Sequence, residues 1–157
     1  MKNIVKLLSI LMIEVMAFSV LGCSKAGKTD IKELQQVKGD MLVLTGYPQE
    51  AMPEDMYEKA ITRFRLTYKG EAYNPNPVNE VGVKVTDEEY LRIYEFCKEA
   101  VAKNKFADYS EDICDGTTYR FVFYDKEGNE YLIYDGYCYD NKELQEIKKL
   151  ITKYQLE

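Results

Sequence analysis

Beyond residue 40 the apolar positions switch repeatedly between a two-residue and a three-to-four-residue spacing, and those switches divide the chain into elements. Met41-Leu42-Val43-Leu44 is a brief apolar run closed by Thr45-Gly46-Tyr47-Pro48, which predicts a weak strand. Pro53-Glu54-Asp55-Met56 opens one or two helical turns, because proline suits the first helical position and acids suit the positive end. Over residues 61–69, Phe64, Leu66 and Tyr68 alternate with Arg63, Arg65 and Thr67, the repeat of a half-buried strand. Residues 70–80 contain Asn74-Pro75-Asn76-Pro77 and read as a loop, since each proline lacks a donor and pushes its predecessor out of the helical region. Val81, Val83 and Val85 then alternate with Gly82 and Lys84, a second strand.

The clearest element follows. Thr86-Asp87-Glu88-Glu89 is a capping box, so a helix starts at Asp87; its apolar positions Tyr90, Ile93, Tyr94, Cys97, Ala100 and Val101 recur at helical spacing. Residues 117–124 and 129–139 are rich in Tyr, Phe, Val and Ile and flank Asp125-Lys126-Glu127-Gly128, a hairpin whose glycine takes the left-handed position. Asp140-Asn141-Lys142-Glu143 caps a last helix with Leu144, Ile147, Leu150, Ile151 and Tyr154 on one side. Each of the two longer helices has a single apolar stripe. The expected fold is therefore α+β: an antiparallel sheet of about four or five strands with two helices packed on one face, a two-layer sandwich.

The amino terminus has a different pattern. Lys2 and Lys6 precede an apolar run over residues 7–21 that is too short for a membrane span of ~20 residues and fits a signal peptide. It ends at Val20-Leu21-Gly22-Cys23, which resembles the lipobox of bacterial lipoproteins. The resemblance implies cleavage before Cys23 and a diacylglycerol on its thiol. Residues 1–22 are then a signal peptide, 23–40 the lipid anchor and a flexible tether with room for a short helix over 31–37, and 41–157 a single globular domain. Such a chain resembles the small uncharacterised lipoproteins of Gram-positive bacteria, held at the cell membrane on its extracytoplasmic side.

Composition narrows the function. Losing residues 1–22 removes two bases and one acid from the 21 and 27 of the whole 157-residue chain, moving the formal charge from −6 to −7. Nucleic acid is a disfavoured partner for so acidic a protein. The absence of histidine excludes Ser-His and Cys-His pairs and any imidazole-bound zinc. Asp125, Glu127 and Asn129 alternate as in a calcium loop, but Glu130 stands where that loop requires glycine, so no metal is expected. Acid pairs such as Asp112 and Asp115, or Asp135 and Asp140, carry catalysis only across a substrate cleft, which two helices on one face leave little room for. The expectation is a non-enzymatic module without a cofactor.

Three cysteines follow the anchor. Cys97 lies within the helical stripe as a buried apolar group. If residue 125 faces 129 across the hairpin, Gly116 faces Cys138, and a small bulge at Gly136 brings Cys114 opposite Cys138; a disulfide and two free thiols are both open readings. The same register places Arg120 opposite Tyr134 and near Tyr124. Together with Arg63, Arg65 and Lys84, these residues gather basic and aromatic groups on the sheet face away from the helices, a candidate site for an anionic or sugar-like ligand. A solvated face with its arginines paired to acids is the alternative, and a one-residue slip sends Tyr134 to the core. Tyrosine is frequent, 14 residues, and spacing alone does not separate core from recognition roles. The partner expected first is an envelope protein, and second a cell-wall glycan or anionic polymer bound through this Arg/Tyr face.

Overall fold

A computed structural model describes residues 29–73 and 82–154. The expected signal peptide, Cys23 and the prolines of the 70–80 segment lie outside these residues. The described chain runs α1 (Ile31–Leu34), β1 (Asp40–Pro48), α2 (Glu54–Ala60), β2 (Thr62–Thr67), β3 (Glu71–Tyr73), β4 (Val83–Lys84), α3 (Asp87–Lys103), β5 (Thr117–Tyr124), β6 (Glu130–Gly136) and α4 (Lys142–Thr152). The strands form one antiparallel sheet in the order β4-β3-β2-β1-β5-β6. The architecture is thus α+β as expected, with six strands and four helices among the described residues instead of four or five and two. No helix among them is long and apolar enough to cross a membrane.

The difference in count has local causes. β3 lies within the segment read as loop: Glu71, Ala72 and Tyr73 pair with β2 before the prolines begin. β1 is no weak strand but a nine-residue one, hydrogen-bonded to β2 and to β5. A strand buried on both sides shows little alternation, which hides it from a period-two search. Gly46 belongs to that strand, pairing with Thr62 and Tyr119, and a Cβ there would meet Thr62 Oγ1 at 2.7 Å. The stretch read as tether through residue 40 is already folded from Asp30, whose carboxylate accepts from the Lys32 N–H at 2.9 Å and starts α1. Leu34 of that short helix is 1% exposed and belongs to the core.

Both long helices cover the same sheet face. Tyr90, Ile93, Phe96, Cys97 and Ala100 of α3 and Leu144, Ile147 and Ile151 of α4 join Leu42, Leu44, Phe64, Leu66, Phe121 and Phe123 of the sheet in one cluster. Thr86 caps α3 as predicted, accepting from the Glu89 N–H. The reciprocal half of the box is replaced: the Glu89 carboxylate holds Lys153 and the Tyr154 hydroxyl, and that hydroxyl accepts the Thr86 N–H at 3.4 Å. The cap of α3 thereby ties down the end of α4.

Two β-bulges set the register. One falls between Asp40 and Leu42, so that consecutive Met41 and Leu42 both enter the core. The other lies opposite Phe121 and Val122, where Ile133 is the extra residue and consecutive Ile133 and Tyr134 are both buried. The hairpin tip matches expectation, with Asp125 N–H donating to the Asn129 carbonyl at 3.0 Å and Gly128 at φ 86°.

Candidate functional site

The face of the sheet opposite the helices is a grid whose levels follow from strand register. One level runs Tyr73–Arg65–Val43–Val122–Leu132, from β3 to β6. The next runs Arg63–Thr45–Arg120–Asp135, from β2 to β6. Val43, Thr45 and Val122 at its centre are buried although no helix of the core cluster lies on this side. Leu132 at the margin is 54% exposed.

The structure brings five of the six candidate ligand residues to this face and takes one away. Arg63, Arg65, Arg120 and Tyr124 share it. Tyr134 does not: the bulge at Ile133 shifts the register by one, Arg120 faces Asp135 instead, and Tyr134 becomes a core residue. Its ring packs near Phe106, Tyr109 and Phe121, and its hydroxyl donates to the Tyr137 carbonyl. Lys84 stands opposite Glu71 at the edge of the same face, and its ammonium reaches the Lys69 carbonyl beside Gly70.

The arginines that remain sit among acids. Arg65 lies 3.6 Å from Asp40 and over the Tyr73 ring at 5.0 Å, and Arg120 stands 4.0 Å from Asp135. Glu130 accepts the Tyr124 hydroxyl at 3.3 Å, and Glu71 the Tyr73 hydroxyl at 3.0 Å. Arg63 is exposed and forms no ion pair among the described residues. The face is therefore not a cationic field but a mosaic of both signs around an aliphatic centre. Exposed pairs of this kind contribute ~0–1 kcal/mol each, so a competing partner can displace them. Asp40, Asp135 and Leu132 were missed as members of the face; Asp135 becomes visible only once the bulge is known.

The three cysteines among the described residues are unbridged. Cys97 and Cys138 are buried and Cys114 is exposed, so the Cys114–Cys138 disulfide is not formed. The one-residue shift at Ile133 moves the Cys138 end of β6 away from the alignment that bridge needs. Burial pushes the Cys138 thiol up to about 11 and that of Cys97 further still.

The acids have structural duties. The Asp125 carboxylate accepts from Asn129 Nδ2 at 2.8 Å, from the N–H groups of Asn129 and Glu127 and from the Tyr131 hydroxyl; these bonds, Asn129's first, hold it below the usual range. Glu111 accepts the N–H groups of Tyr139 and Asp140 at 2.7 and 2.9 Å and the Tyr109 hydroxyl. Burial raises its pKa, but the Tyr109 and backbone bonds together outweigh that and leave it below the ordinary value. A groove of about 280 Å³ between α3 and α4 is lined by Arg92, Glu95, Glu99, Glu143 and Glu146 with Phe96 and Ile147. Its carboxylates are engaged: Arg92 holds Glu146, Lys105 holds Glu143 at 2.7 Å and Lys103 holds Glu99 at 2.8 Å. No group of three or more metal-ligating side chains occurs among the described residues. No protein-family model, curated protein or solved structure matches the chain.

Proposed function

We propose that this chain is a lipid-anchored, extracytoplasmic interaction module without catalytic activity, tethered through Cys23 and binding an envelope protein through its open sheet face. The observation that supports the reading is the mosaic itself: Val43, Val122 and Leu132 in one level, Arg63, Thr45, Arg120 and Asp135 in the next, on the face left bare by both long helices. Aliphatic centres rimmed by arginine and paired charge suit protein surfaces. A polyanionic wall polymer would call for a cationic field, and Asp40, Asp135, Glu71 and Glu130 offset the three arginines here.

The test is co-sedimentation of residues 24–157 with isolated cell walls at low and high salt, beside an Arg65→Ala/Arg120→Ala double variant. The reading predicts no salt-sensitive sedimentation. Sedimentation that is strong at low salt and lost in the variant would make the face a polymer site and overturn the protein-partner reading.

A further inference from the structure

We infer that the open face is self-complementary and that its partner is a second copy of this chain, packed face to face about a two-fold axis parallel to the strands. The inference rests on the reading of the chain as a membrane-anchored module with a binding sheet face, and names the partner. Two independent observations carry it.

The first is where the chain leaves the domain. Asp40 starts β1 at the end of the sheet where Tyr124 and Glu130 flank the hairpin loop, and Lys126 of that loop pairs with Glu33 of α1 at 2.9 Å. Thr29 hydrogen-bonds Glu95, beside Tyr94, whose ring meets Phe123 at this same end. The tether therefore departs at the hairpin end, and the seven residues from Cys23 to Asp30 span at most ~25 Å. Two copies anchored in one bilayer reach it with the least tether when both turn their hairpin ends toward it. Face-to-face pairing meets that condition when the axis runs along the strands, whereas an axis across them sends the anchors in opposite directions.

The second is what that axis brings together. Placed between β1 and β5, it lays β2 over the second copy's β6 and β1 over its β5. The level Arg63–Thr45–Arg120–Asp135 then meets itself reversed, with Arg63 over the second copy's Asp135 and Arg120 over its Thr45. In the neighbouring level Arg65 covers exposed Leu132, while Val43 and Val122 lie already buried beneath their neighbours. No like charges are opposed in either level. The cation without an ion pair among the described residues meets the carboxylate whose own partner is 4.0 Å away. Four strands about 4.8 Å apart and about six residues long give a footprint of ~19 by ~20 Å, ~380 Å² on each copy, below a standard stable interface and in the range of weak, transient ones. The pairing is a concentration-dependent dimer, favoured where anchors confine the copies to one surface.

Residues 24–157 retain every core residue, and their association is measured by sedimentation equilibrium for the parent, Arg63→Asp, Asp135→Lys, the double variant and Leu132→Asp, with circular dichroism confirming the fold. The expected result is a monomer–dimer equilibrium whose dissociation constant rises about tenfold or more in each single variant and recovers in the charge-swapped double variant. Within one copy Arg63 and Asp135 are three strand spacings apart, ~14 Å, so recovery reports a contact between copies. A parent that stays monomeric at millimolar concentration, a dimer indifferent to the single changes, or a double variant without recovery overturns the self-pairing. Those outcomes leave the module reading standing, because that reading falls to the cell-wall result instead.

Discussion

Tyr134 is 4% exposed, and its ring meets Phe106, Tyr109 and Phe121 in the core. Tyr134→Ala should lower stability by ~3–5 kcal/mol, whereas Tyr134→Phe, which loses only the bond to the Tyr137 carbonyl, should lower it by ~1 kcal/mol. Arg63→Ala, on the solvent side, should stay within ~0.5 kcal/mol. Urea unfolding curves of the three variants check the register directly; similar losses for Tyr134→Ala and Arg63→Ala would place Tyr134 back on the open face. The thiols give a second residue-scale test. In native residues 24–157 a thiol reagent should modify Cys114 alone, with Cys97 and Cys138 reacting only as the domain unfolds. Burial raises both buried thiols above their unfolded value of ~8.5, so the unfolded state sheds their protons first. The thiol contribution is thus complete below pH ~8.5 and declines above it toward the Cys138 value of about 11. Chemical unfolding at pH 8, 9 and 10 should show that decline, and a flat profile would contradict the burial of these thiols.

The elements are tied together by carboxylates that accept from backbone and side-chain donors of distant segments. Glu111 joins the segment before β5 to the start of α4 through the N–H groups of Tyr139 and Asp140, and Glu89 joins the cap of α3 to Lys153 and Tyr154. Both carboxyls titrate below the ordinary value, Glu89 chiefly through Lys153 and Glu111 through its several donors against the opposing effect of burial. Their contribution is present above the unfolded carboxyl range of ~4.3 and is lost as pH falls through the depressed folded values. Glu111→Gln should lower stability by ~1–3 kcal/mol at pH 7 and flatten its fall between pH 5 and 3, as measured by unfolding at each pH. An unchanged acid limb in Glu111→Gln would remove Glu111 from that role. Much of this scale was legible in advance. Thr86, Asn141 and the Asp125–Gly128 turn signal their elements through side chains that bond nearby backbone, and such local chemistry survives in a bare sequence. The bulges were not legible, because Met41-Leu42 and Ile133-Tyr134 each break alternation and only tertiary packing decides which residue is the extra one. β1 was underestimated for the related reason that strand neighbours on both sides bury Leu42 and Val43 alike.

At the scale of the molecule, the open face was legible as a location, and its paired character as one of two readings. Arg63, Arg65 and Arg120 do share it, since alternation in β2 and β5 is regular, but their acid neighbours depend on long-range pairing: Asp40 reaches Arg65 across β1 and β2, and Asp135 reaches Arg120 past the bulge. That pairing is the arrangement of the alternative reading, a solvated face with its arginines paired to acids. The anchor is a separate whole-molecule matter. Cys23→Ala should abolish incorporation of labelled fatty acid and release the chain from the membrane fraction; retained label would contradict lipidation at that residue. The central claim, that the open face and not the helical layer engages a partner, is tested most directly by photo-crosslinking in intact cells, with the photoreactive residue at Leu132 on the open face or at Glu146 on α4. The account predicts a discrete protein adduct from position 132, twice the mass of the chain if the partner is a second copy, and none from position 146. An adduct from position 146 with none from 132 would contradict it.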